Sequence, residues 1–178
     1  QLVGSTTLSY DLNISVSGMG AGVTLTNGAD AGAGTLRFNA QDSTGAVSTG
    51  DLDGGKVIVR AGAASTLTTG QIDAGTVSIF GANSLPGLTL STGSDGTIAG
   101  NANDITANDV LIRGSFIRDN SADILAQPDG TELVVRLFCD LGNDAFTIGS
   151  TSTVEATVIH GSLGRGTDTV EVTLADYT

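Results

Sequence analysis

The sequence predicts an all-β chain wound as a right-handed parallel β-helix, or solenoid, with an antiparallel β-sandwich or jelly roll as the alternative. Three observations lead there. The composition is rich in turn formers and poor in helix formers. Short apolar strands are separated almost everywhere by Gly, Asn or Asp. One apolar pattern recurs at a spacing near 20 residues.

Composition comes first. Among 178 residues there are 26 Gly and only 2 Pro, beside many Thr, Ser, Asn and Asp. Gly without Pro signals tight turns rather than a Pro-rich linker. Of 19 acidic residues only Glu132, Glu155 and Glu171 are Glu. Asp favours turns and caps where Glu favours helix interiors, so the choice of acid argues against helix. An apolar fraction of 39% is enough for a packed core. With no Trp and few aromatics, that core is built from Val, Leu, Ile, Ala and Thr, which suits stacked strands.

The strands follow in order. Leu8, Tyr10, Leu12, Ile14 and Val16 alternate with polar residues over nine positions, the pattern of a half-buried strand. A Gly-rich joint, Gly18 to Gly22, comes next. Residues 1–22 are therefore expected to form a terminal strand and hinge, and residues 23–178 a single β-rich repeat domain. Further strands are predicted at 23–25, 35–38, 56–60, 76–80, 88–90, 109–113, 132–138, 146–148, 154–159 and 169–174. Only Ser121 to Leu125 could make a helical turn.

The repeat favours the solenoid. Residues 48–62, 68–82 and 101–115 align so that Leu52, Ile72 and Ile105 share one column. Val57, Val77 and Val110 share a second, and Val59, Ile79 and Ile112 a third. One coil of a solenoid cannot bury its own inward face, so like residues must recur at like angular positions. The first two copies lie 20 residues apart and the third 33 further on. A sandwich accounts for the turns and the first strand, but less well for the columns.

A second pair of segments, 134–148 and 156–172, also matches. Leu141-Gly142 aligns with Leu163-Gly164, and after a two-residue insertion Asp144 aligns with Asp168, Phe146 with Val170 and Ile148 with Val172. Leu163-Gly164-Arg165-Gly166-Thr167-Asp168-Thr169-Val170 resembles the haemolysin-type (RTX) repeat of bacterial surface and secreted proteins in degenerate form. Residues 64–115 resemble coils of filamentous-haemagglutinin-type adhesins. The resemblance implies a secreted or cell-surface protein, and calcium as a possible cofactor held by Asp140, Asn143, Asp144 and Asp168. Read from the residues alone, these four are turn caps as readily as metal ligands.

Charge and chemistry bound the function. A net charge of −12 with seven cations argues against nucleic acid and anionic membrane as partners. It fits solubility or divalent-cation binding. No apolar run is long enough to span a membrane. The chain starts at Gln1 rather than Met, as expected of a processed chain or a fragment. Cys139 is the sole cysteine and reads as a buried structural thiol, with an intermolecular bridge or a reactive thiol as alternatives. His160 is the sole histidine, and no triad, zinc or phosphate-loop spacing surrounds it, though it and Cys139 could meet on successive coils. Asp51, Asp53, Lys56 and Arg60 are the nearest approach to a catalytic cluster, and no enzyme is expected.

Three readings remain. The first is an extracellular structural subunit, a homo-oligomer or homopolymer joined by β-edge or donated-strand contacts. Leu8, Tyr10, Leu12, Ile14 and Val16 would be its assembly strand, an ordinary first strand or cap being the alternative. The second is an adhesin or carbohydrate-binding module directed at surface polysaccharide. The third is a polysaccharide-active enzyme.

Overall fold

A computed structural model describes residues 10–15, 23–25, 28–40, 47–61, 66–80, 89–92, 105–113, 121–126, 132–139, 142–149 and 156–173. They form sixteen strands and, among the described residues, no helix. In chain order these are β1 (Leu12–Ser15), β2 (Val23–Leu25), β3 (Ala29–Asp30), β4 (Thr35–Ala40), β5 (Val47–Thr49), β6 (Leu52–Ala61), β7 (Thr66–Thr69) and β8 (Ile72–Phe80). They continue with β9 (Thr89–Thr92), β10 (Ile105–Thr106), β11 (Asp109–Arg113), β12 (Ser121–Leu125), β13 (Glu132–Phe138), β14 (Ala145–Gly149), β15 (Ala156–Ser162) and β16 (Thr169–Thr173). Every pairing is parallel and each strand rests on its counterpart from the next coil, so the fold is a β-solenoid.

The predicted columns are the register of the sheet. Leu52 pairs with Ile72 and Ile72 with Ile105. Val57, Val77 and Val110 stack, as do Val59, Ile79 and Ile112. The last two columns extend through seven strands of one face, β1, β4, β6, β8, β11, β13 and β15. One runs from Leu12 and Leu36 to Val135 and Ile159, the other from Ile14 and Phe38 to Leu137 and Gly161. Inside the stack these side chains are almost completely buried. Each Val, Leu or Ile so removed from water contributes about 1.5–3 kcal/mol, which is what the repetition of small apolar residues achieves.

A second face carries β3, the first residues of β6 and β8, β10, and the ends of β12, β14 and β16. Its inward column is Ala29, Leu52, Ile72, Ile105, Ile124, Ile148 and Val172. A third face carries β2, β5, β7, β9 and the beginnings of β12, β14 and β16. Where the second face gives way to the first, Ala31, Ala74, Ala107 and Ala126 are buried at the corner. A small side chain at this point lets the backbone turn close to the core.

Two expectations are corrected. Ser121–Leu125 is the strand β12, not a helical turn. Ile124 has to fill its column between Ile105 and Ile148, and the backbone of β12 is held by parallel neighbours on both sides. The 134–148 and 156–172 segments align without the two-residue insertion. Val134 pairs with Val158 and Ala145 with Thr169, one constant offset, so Gly142 lies level with Gly166 rather than Gly164. The long spacing before the third copy leaves the register intact, because the additional length falls between strands, most of it between β9 and β10 and the rest between β8 and β9.

Candidate functional site

The last coil, β15 and β16, has no coil above it among the described residues, and it exposes the columns that are buried elsewhere. Ile159 is 40% exposed, whereas Val135 beneath it is fully buried. Val170 and Val172 are 38% and 42% exposed above the buried Phe146 and Ile148. This is an open parallel edge with an apolar inner rim, the kind of edge that accepts another strand.

The other end of the stack is built differently. β1 lies on β4 of its own chain, Leu12 on Leu36 and Ile14 on Phe38. Of the predicted assembly residues, Tyr10, Leu12 and Ile14 pack half-buried against the core, while Leu8 and Val16 lie outside the described residues. The Tyr10 hydroxyl donates to the Asp30 carbonyl at 2.6 Å. Ala29 and Ala31 both donate upward, to the carbonyls of Asp51 and Asp53. Backbone groups alternate sides along a strand, so the Asp30 carbonyl belongs to the outer edge of the first coil. Tyr10 therefore caps one acceptor of that edge. Asp11 pairs with Arg37 at 3.1 Å, and this pair together with the Thr35 N–H lowers the Asp11 pKa.

The predicted metal residues form a corner of the last two coils. Asn143 Oδ1 accepts the Thr167 N–H at 2.9 Å, and Asp168 Oδ1 accepts the Asp144 N–H at 3.1 Å. The Thr169 N–H returns to the Asp144 carbonyl at 2.7 Å. Asp144 is buried, Asn143 is exposed, and Asp140 lies outside the described residues. Gly142 and Gly164 take φ values of 133° and 82°, open to glycine and costly for other residues. Calcium takes six to eight oxygens. Here two of the side-chain oxygens are engaged on backbone N–H groups of the neighbouring coil. Among the described residues no three His, Cys, Asp or Glu side chains gather as a metal-binding group. The Asn143 and Asp168 side chains thus join one coil to the next, while the buried Asp144 Oδ2 accepts no hydrogen bond among the described residues.

Outward on the second face stands a ladder of carboxylates. Asp30, Asp53 and Asp73 lie on three successive strands, directly above one another. Asp51 is beside them and its Oδ1 accepts the Gln71 N–H at 3.0 Å. Burial, then the negative charges of Asp30, Asp73 and Asp51, push the Asp53 carboxyl up to about 6. Lys56 and Arg60 follow the Gly54-Gly55 bend and stand on the first face, so the four-residue cluster divides between two faces. Cys139 is buried in the core, and His160 pairs with Arg136 and sets its ring edge-on to Phe138 at 6.0 Å.

No helix among the described residues is long and apolar enough to cross a membrane. Compared with protein-family models, curated proteins and solved structures, the chain matches none of them.

Proposed function

We propose that the chain is a structural module of an extracellular assembly, stacking end to end so that the last coil of one copy receives the first coil of the next. The observation that carries this reading is the exposure of Ile159, Val170 and Val172, whose counterparts one coil below are buried. The first coil is a fitting occupant. It offers β1, β2 and β3 on the first, third and second faces, the order in which β15 and β16 leave those faces. Leu12 and Ile14 would continue the columns that end at Ile159 and Gly161. A contact of this head-to-tail kind does not close on itself and produces filaments. Strand donation is the variant in which β1 leaves its own β4. The simpler form keeps β1 in place and pairs its outer edge. The bacterial cell surface is the proposed setting, on the strength of the repeat resemblance.

Sedimentation and electron microscopy of the purified chain over a range of concentrations test this. The expected result is concentration-dependent end-to-end polymers, lost in Ile159→Asp and Val172→Asp and lost on deleting residues 1–17. A chain that stays monomeric throughout, or Asp variants that polymerise like the parent, would overturn it.

A further inference from the structure

The first face carries an outward strip that self-assembly does not use. Of the chain's seven Lys and Arg residues, five stand outward on this face: Arg37, Lys56, Arg60, Arg113 and Arg136. The strip is therefore cationic in a chain of net charge −12. Its order is the informative part. Arg60, Phe80, Arg113 and Phe138 occupy one outward column on four successive strands, a cation and a ring in alternation.

Neighbouring strands are about 4.8 Å apart, so like residues in this column recur at about 9.6 Å. Arg60 lies over the Phe80 ring, 5.5 Å from its centroid. Arg60 and Arg113 are exposed and form no ion pair among the described residues. The carboxylates nearest the strip are already engaged, Asp11 by Arg37 and Asp109 by Arg136. Glu132 stands at the far border of the face, at the other end of β13 from Phe138. At the low end of the strip, Asn13, Ser15, Arg37, Asn39, Ile58 and Arg60 line a shallow groove of about 240 Å³.

We propose that this strip binds a linear acidic polysaccharide laid along the stack, with uronate carboxylates on Arg60 and Arg113 and sugar rings over Phe80 and Phe138. The alternation selects this class. A guanidinium grips a carboxylate in a two-pronged geometry, and an aromatic face takes the C–H face of a sugar. A pyranose ring is about as long as one strand spacing, so a chain charged on every second sugar meets Arg, Phe, Arg, Phe in step. The amides of Asn13 and Asn39 extend the strip with groups suited to hydroxyls. Nucleic acid is the less suitable polyanion, because one charge per nucleotide would fall on the rings as well as the cations and would meet the acidic remainder of the surface.

Calorimetric titration with an oligosaccharide of alternating glucuronate and N-acetylglucosamine, its fully methyl-esterified form and oligothymidylate tests this. The expected result is binding of the free acid alone, weakened by salt. Arg60→Gln and Arg113→Gln are each expected to weaken it by about tenfold. Phe80→Leu, which keeps an apolar side chain and removes the ring, is expected to weaken it several-fold. These side chains point outward, so an unchanged unfolding temperature in each variant confirms that the fold is intact. The proposal is overturned if the acid does not bind, if the ester binds equally, if the Arg variants bind like the parent, or if oligothymidylate binds more tightly.

Discussion

Replacing Asp53 with Asn is expected to stabilise the protein at neutral pH. Asp53 is half-buried, with Asp30 on the strand below and Asp73 on the strand above. Its pKa rises from 3.8 to about 6, first because burial strips water from the carboxylate and then because Asp30, Asp73 and Asp51 repel its charge. The folded chain therefore holds a proton that the unfolded chain releases near pH 4. Stability falls as pH rises from about 4 to about 6, and the loss is complete above that window. A shift of this size corresponds to about 3 kcal/mol at most, and solvent screening of a half-exposed group reduces it to about 1–2 kcal/mol. Asn keeps the shape without the charge, so Asp53→Asn should gain that amount at about pH 7 and almost nothing at about pH 4. Urea denaturation of both proteins across this range measures the difference, and the comparison cancels the contribution of the other carboxylates. Added salt should recover only part of it, since screening relieves the repulsion and not the desolvation. A gap between the two proteins that does not change with pH, or an Asp53→Asn protein less stable than the parent at neutral pH, would contradict this account.

Thr69 is buried and its hydroxyl has no hydrogen-bond partner, so the isosteric Thr69→Val should raise stability by about 1–2 kcal/mol in denaturant unfolding. Gly28 has a φ of 68° and a Cβ there would strike the Asp51 backbone, so Gly28→Ala should cost about 2–3 kcal/mol by the same measurement. The corner of Asn143, Asp144 and Asp168 closes through backbone bonds, so the unfolding temperature should be the same in chelator and in millimolar calcium. A rise of several degrees with calcium would assign Asp144 and Asp168 to a metal site.

The coil was written in the order of the residues. Leu52, Ile72 and Ile105, with the two Val and Ile columns beside them, are legible because an inward face buried against its own repeat requires the same residue type at each passage. The turns are legible for a related reason, since Gly, Asn and Asp are the residues that the corners tolerate. Short strands such as Ala29–Asp30 and Val47–Thr49 were not, because two or three residues with Ala, Thr and Ser among them carry no periodicity. The outward columns are legible in part, since the alignment that stacks Val59, Ile79 and Ile112 also stacks Arg60, Phe80 and Arg113, while Phe138 and the outward direction come from the folded chain. Arg60, Phe80, Arg113 and Phe138 are separated by 20 to 33 residues along the chain but by one strand in space. Asp53 and Asp73 likewise share a column of that alignment, and the folded chain adds Asp30 beneath them. Outward positions are under no packing constraint, so residue type changes along a column and its chemistry is harder to read than that of the inward columns. Their meaning arises from the stacking, which sets residues a full coil apart about 4.8 Å from one another.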